Sequence, residues 1–368
     1  MTKRNRFSTI LLTLIALCAI LFSFAACQKK NEYPEIASSK KEATVVAVLG
    51  GHEVKYELFR AYFSAMYSGR TDGMTEEGWN EAKIAVLREI AELYATLDVA
   101  EENGVNPYGS EINDEVAEMI RVDYEGGFVN GGDVYIEGAG SRAKYKEALA
   151  AANLTDAVNR LNYRCSAVQN ALYDYLVANL SRGTKDPATL PDARDFFISG
   201  ACAHGVLICV QDELRQGREN ARAFAVEMRD RLSDAAGYDD VKAVFIATFS
   251  DQALDDNSVG SVDQGFYFSE NQGNTPLVRA LISDLFSLEP YSCGEFHEDV
   301  NGVWFAVGLP KNAADYDRFS DGFYNLMVAE TWINHPIVEK ANAYLSGVTY
   351  SSAFPTFSAE TIEELTVE

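Results

Sequence analysis

The chain is poor in positive charge, and this shortage limits the partners it can have. Its 368 residues hold 31 Lys and Arg against 55 Asp and Glu, which gives a formal net charge of −24. A chain this acidic is repelled by nucleic-acid phosphates and by an anionic membrane surface. We therefore expect no nucleic-acid partner and no attachment to a membrane through a basic patch.

Histidine and cysteine are also scarce. There are four histidines and six cysteines, with no C-x-x-C pair and no metal-ligand spacing, so we predict no metal and no cofactor. The chain lacks G-x-S-x-G, H-E-x-x-H and Walker motifs and an Asp-rich calcium loop of the proper spacing. We interpret Cys165, Cys202, Cys209 and Cys293 as buried small hydrophobic residues, and a disulfide among them is left open.

The first 27 residues have the pattern of a secretory signal. Three basic residues within positions 3–6 precede an apolar run over residues 10–24, and two alanines lead to Cys27. This ending resembles a bacterial lipobox, which implies cleavage before Cys27 and acylation of its thiol. The apolar run is short for a transmembrane span of about 20 residues. We expect a lipid-anchored protein on the outer face of the bacterial cytoplasmic membrane.

The next part of the chain predicts a helical lobe. Residues 28–43 are polar and aperiodic, so we interpret them as a flexible tether. Short strands are predicted on both sides of the Gly50-Gly51 pair, with helices after them over residues 56–67, 76–103 and 111–124. Residues 142–180 are also helical in pattern, and Thr155 is predicted to be an N-cap within them. The glycine-rich residues 125–140 lack the Lys-Ser/Thr pair of a phosphate-binding loop and are interpreted as a loop.

The composition changes near Pro187, where strands begin to alternate with helices. An apolar strand over residues 201–210 carries His204. The elements predicted after it are helices over 219–232, 242–251 and 276–288 and strands over 265–268 and 301–309. This order predicts an α+β domain with a small antiparallel sheet flanked by helices.

Several segments of this second part resemble the parvulin-type peptidyl-prolyl isomerase domain. They are AHGVLI, FSD, GFYF, LVRALISDLFSLEPYSCGEF and GVWFAVGL. The upstream segment TVVAVLGGHEVKYELF is similar to the opening of PrsA-type lipoprotein foldases and SurA-type periplasmic chaperones. The resemblance implies a parvulin-like domain over 199–311, a helical chaperone lobe made of 44–198 with 312–350, and a tail over 351–368. A helix returning to the lobe is expected within 316–346, with a break or kink at Pro336.

The resemblance also implies two sets of site residues. In the catalytic set, His204 falls on the first family histidine, Trp304 replaces the second, and Gln252 stands where the family has cysteine or aspartate. His297 falls near the hydroxyl residue that closes the family site. The substrate-binding set, which would line the proline pocket, is Phe266, Leu277 and Phe286.

The replacement of a histidine by Trp304 weighs against catalysis. An indole Nε1 only donates, whereas an imidazole both donates and accepts, so the hydrogen-bond network around His204 would be incomplete. We therefore predict weak or absent isomerase activity and a chaperone that binds unfolded or newly exported polypeptides. The alternatives are an active isomerase and a surface or solute-binding lipoprotein unrelated to folding; the oligomeric state is left open.

Overall fold

The computed structural model describes residues 33–67, 75–129, 134–178, 192–235, 237–249, 265–273, 276–299, 302–318, 320–352 and 354. The described residues form two compact units. Those before residue 188, with those from His335 onward, make the first unit, and those between make the second. The sequence predicted a parvulin-like domain over 199–311, whereas the second unit spans 188–334. The helices that directly precede and follow the predicted domain therefore belong to the second unit.

In chain order the described residues form the following strands and helices. They are β1 (Val45–Leu49), β2 (His52–Lys55), α1 (Tyr56–Tyr67), α2 (Glu76–Glu102), α3 (Ser110–Glu125), β3 (Gly127–Val129), β4 (Val134–Ile136), α4 (Arg142–Ala151), α5 (Asp156–Ala178), α6 (Ala193–Ile198), β5 (Cys202–Gln211), α7 (Arg218–Leu232), α8 (Tyr238–Phe249), β6 (Phe266–Ser269), α9 (Pro276–Ser287), β7 (His297–Glu298), β8 (Gly302–Gly308), α10 (Ala313–Arg318), α11 (Ser320–Ala329), a π-helix (Glu330–Asn334), α12 (His335–Ser346) and β9 (Thr349–Tyr350). The fold is α+β with small antiparallel sheets, as the sequence predicted.

The first unit is mainly helical. Its core contains completely buried side chains from α1, α2 and α5, among them Phe59, Leu87, Ile90 and Leu172. Strand β1 is central in a three-stranded antiparallel sheet, between β2 and β9. Helix α12 packs along α2, so the chain after the second unit returns to the first unit.

The second unit is built on a four-stranded antiparallel sheet in the order β6-β5-β8-β7. Strands β5 and β8 pair in an unbroken register from Gly205–Gly308 to Gln211–Gly302. Because side chains alternate across a strand, Val206 and Ile208 pack with α7 on one face, and Ala203 packs with α9 on the other. We name these the α7 face and the α9 face.

The sequence-based elements need three local corrections. The helical residues 142–180 form two helices, because Asn153 adopts φ 56° between them; the second follows Thr155, the predicted N-cap, whose side chain accepts from Val158 N. Part of the predicted loop 125–140 forms the β3–β4 hairpin. The returning helix was expected to break or kink at Pro336. The irregularity lies before that residue, in the π-helix that ends at Asn334, and Pro336 is in the first turn of α12.

The predicted flexible tether over 28–43 needs a fourth correction. Residues 33–39 have no regular secondary structure, yet hydrogen bonds hold them to the first unit. Residues 40–43 form a turn before β1. Among the helices of the described ranges, none has the length and apolarity that a bilayer span requires.

Candidate functional site

His204 lies on β5 and is enclosed by its neighbours. Its side chain is paired across the strands with Tyr267, and the two rings stack with centroids 4.1 Å apart and planes 5° apart. The Nδ1–H donates to the Pro310 carbonyl at 2.8 Å. A Cβ at Gly265 would lie 2.8 Å from His204 Nε2, so only glycine fits beside that nitrogen. With the residue 9% exposed, this histidine is a core group of the second unit.

Further aromatic rings enclose the Tyr267 side of this pair. Phe323 meets Tyr267 edge-on at 4.8 Å, and Phe197 lies 4.6 Å from Phe323. The Tyr267 hydroxyl donates to Asp315 Oδ2 at 2.8 Å. Burial, with the Asp315 carboxylate beside it, raises the pKa of Tyr267 far above its usual value, so the phenol stays neutral. The surroundings of His204 are thus an aromatic core.

Trp304 and His297 lie on the other side of the sheet. Trp304 pairs with Cys209, which is five residues from His204 along β5, and an odd separation places the two side chains on opposite faces. The residue of this chain segment that contacts His204 is Leu309, directly after β8, whose N–H donates to the His204 carbonyl at 2.8 Å. Trp304 therefore lies on the face opposite His204, and the network around His204 is made by other residues.

The structure does bring His297 and Trp304 together as a cross-strand pair. Each is held by a carboxylate: His297 Nε2 lies 2.9 Å from Asp284 Oδ2, and Trp304 Nε1 donates to Asp299 Oδ1 at 3.0 Å. Both side chains of the pair are partly exposed. This pair, rather than His204, is the polar part of the α9 face.

The three residues of the substrate-binding set lie on or beside the α9 face. Leu277 and Phe286 are partly buried against the apolar cluster formed by Ala203, Leu281, Leu285 and Ala306, and so is Phe268. Phe266 is 51% exposed, and its ring lies 6.3 Å from that of Phe268. We name Phe266, Phe268, Leu277 and Phe286 the apolar rim.

Two features of this face were missed from the sequence. Gly205 has its α-carbon under α9, where a Cβ would overlap Leu285, so the glycine after His204 permits the helix to approach the sheet. Arg218 on α7 makes ion pairs with Asp212 and Glu298 and donates to the Asp299 carbonyl. That contact holds the backbone of Asp299, whose side chain accepts from Trp304. A glycine within an apolar strand indicates that another element approaches closely, so the role of Gly205 could have been predicted. The contact of Arg218 with Glu298 joins residues 80 positions apart, and no local pattern indicates it.

Two of the thiols are kept protonated by burial. All four cysteines of the described ranges are free. Burial raises the pKa of Cys209 to about 12 and that of Cys293 to about 11, so both are protonated at neutral pH. In the same ranges there is no group of three or more metal-ligating side chains. Gln252 and Cys27 lie outside the described residues, so their predicted roles stay predictions.

Comparison with known proteins finds a distant likeness among solved structures. No family model matches the chain, and no curated protein matches it. Among solved structures, the chain is similar to the foldase protein PrsA from Streptococcus pneumoniae, with 13% identity, a TM-score of 0.31, and coverage of 81% of this chain and 97% of that one. An overlap of this size does not establish a shared fold.

Proposed function

We propose that this protein is a lipid-anchored extracytoplasmic folding factor that binds unfolded or newly exported polypeptides. The signal segment ending at Cys27 supports the location, and the parvulin-like segments support the class of protein. The negative charge would keep the complex soluble when the bound client exposes apolar surface.

The observation that carries the proposal is the division of the predicted site between the two faces of the sheet. His204 is enclosed among aromatic rings on one face, while the apolar rim is accessible on the other. A catalyst of prolyl isomerisation must favour the twisted amide over the planar one, which requires polar groups in contact with the substrate. An accessible apolar surface without His204 beside it is suited to binding apolar segments of a client.

The test compares two exposed apolar residues of the second unit in the soluble form that lacks residues 1–27. Phe266→Ala removes a ring that is 51% exposed in the apolar rim, and Leu214→Ala removes a side chain that is 50% exposed elsewhere. Suppression of aggregation of a chemically unfolded client should require about fivefold more of the Phe266 variant, because a lost apolar contact is worth on the order of 1 kcal/mol. Leu214→Ala should match the parent protein, and equal effects of the two substitutions would reject the apolar rim as the binding surface.

A protease-coupled proline-peptide assay on the same proteins tests the alternative of an active isomerase. We expect little turnover, and His204→Gln should alter the stability of the second unit more than the turnover, because the ring packs in the core. Turnover near that of an ordinary parvulin, lost in His204→Gln while the folded fraction is unchanged, would show that the protein is an enzyme.

A further inference from the structure

Residues Tyr33–Ser39, which we name the strap, lie on the first unit in an extended form without regular secondary structure. Two side chains of α5 bind the strap through its backbone. Asp156 Oδ2 accepts from Ile36 N–H at 2.7 Å, and Arg160 Nη2 donates to the Tyr33 carbonyl at 2.8 Å. These bonds do not depend on the side chains of the strap, so a different sequence could make them.

The groups that hold the strap are themselves held in place. The Asp156 side chain has no exposed surface, and its two oxygens also accept from Tyr145 Oη at 2.8 Å and from Arg160 Nε at 3.0 Å. Asn159 donates to the same Tyr145 hydroxyl at 3.1 Å. Such a network keeps the carboxylate and the guanidinium in position without the strap.

The ends of the strap make side-chain contacts. The Tyr33 ring stacks on Tyr124 at 4.4 Å, beside an open depression whose other wall includes Gly140 and Arg142. At the other end, Ser38 Oγ donates to Glu57 Oε2 at 2.6 Å. An aromatic contact at one end and a buried acceptor at the other fit a short extended segment with a ring near its start and a hydroxyl near its end.

From these contacts we propose that the groove formed by Glu57, Tyr124, Asp156 and Arg160 is a binding site for an extended polypeptide, which the strap occupies in cis. A client segment takes the place of the strap through the same two backbone bonds. Removal of the strap would reduce the donors to Asp156 Oδ2 from two to one, Arg160 Nε, and would take the acceptor at the Tyr33 carbonyl from Arg160, which favours exchange of occupants over an empty groove. The inference depends on the proposed function for the source of the segment, an exported client, and it locates a site separate from the apolar rim.

The test uses two soluble proteins, one starting at residue 28 and one starting at residue 39, and fluorescent peptides as probes. The first peptide has the strap sequence YPEIASS, the second has the same residues in another order, and two more carry an N-methyl group at the isoleucine or at the following alanine. The shorter protein should bind the first two peptides about tenfold more tightly than the longer protein, because the competing strap is absent. Methylation at the isoleucine should weaken binding about tenfold through loss of the bond to Asp156, and methylation at the alanine should not.

Two variants complete the design. Arg160→Gln in the shorter protein should weaken all the peptides about tenfold through loss of a charge-assisted bond. Ile36→Pro in the longer protein removes the strap's own N–H, so peptide affinity should rise even if the shorter protein does not fold. If neither the shorter protein nor the Ile36→Pro variant binds peptide, or if only the peptide with the strap sequence binds, then the strap is a fixed part of the fold.

The outcome is independent of the client assay. Arg160-dependent peptide binding with no effect of Phe266→Ala would reject the apolar rim and keep the groove. An effect of Phe266→Ala with no peptide binding would do the reverse.

Discussion

Asp123 shows how a single buried carboxyl group couples the first unit to pH. Burial raises its pKa to about 6, against hydrogen bonds from Tyr163 at 2.9 Å and Asn159 at 3.0 Å that favour the charged form. The native state therefore holds this proton more tightly than the unfolded chain, in which the ordinary value is 3.8. Its contribution to stability is largest below pH 3.8 and is lost as the pH rises towards 6, by about 3 kcal/mol.

We predict that Asp123→Asn flattens this dependence. Urea unfolding of the soluble chain between pH 4 and pH 7 should show a smaller fall in the free energy of unfolding than in the parent protein. Asp114→Asn, an exposed change on the same helix, should keep the parent slope. Equal slopes for all three proteins would mean that Asp123 titrates in the native state as it does in the unfolded chain.

Gly50 shows a second constraint at a single residue. It has φ +59°, and a Cβ there would overlap the Tyr344 ring of α12. Gly51 also has positive φ, at +90°, but has no atom within 4 Å of its Cβ position. We expect Gly50→Ala to lower the free energy of unfolding by about 3 kcal/mol, from backbone strain and overpacking together.

The matched change Gly51→Ala should cost about 1 kcal/mol, since strain acts alone. Urea denaturation followed by circular dichroism would compare the two. Losses of the same size would mean that the ring of Tyr344 moves aside without cost.

At the scale of elements, the first unit depends on the return of the chain through α12. This helix packs along α2, and Lys340 makes an ion pair with Glu102 while the Tyr344 hydroxyl bonds to Asp98. The exposed ion pair contributes little, so burial of apolar side chains such as Ala341, at 1% exposure, carries the contact.

We predict that Ala341→Asp destabilises the first unit by about 3 kcal/mol, because it buries a charge without a partner. Asn342→Asp adds the same charge at an exposed position of the same helix and should have little effect. Limited proteolysis would report the loss as faster cleavage within the first unit. Equal protection of both variants would contradict the packing of α12 on α2.

At the scale of the whole molecule, we propose that lipid holds the protein at the membrane. The net charge of −24 is repelled by anionic lipid, so one acylated cysteine provides the attachment. Cys27→Ala should abolish labelling with radioactive palmitate and leave the precursor unprocessed or released. Full membrane retention of this variant, measured by fractionation, would refute the lipoprotein assignment.

The sequence by itself was sufficient for features determined by local patterns. The α+β class followed from helical and alternating periodicity, and the apolar runs located β5 and β8 to within one or two residues at each end. These features depend on neighbours a few positions away, which a single sequence displays directly.

The face of each side chain was decided only by the tertiary structure. His204 and Trp304 are 100 residues apart, and the register of β5 with β8 determines that they lie on opposite sides of the sheet. A shift of one residue would have reversed this, and no composition or motif records such a register. The strap was likewise hidden, because Ile36 meets Asp156 across 120 residues through a backbone N–H that every residue except proline possesses.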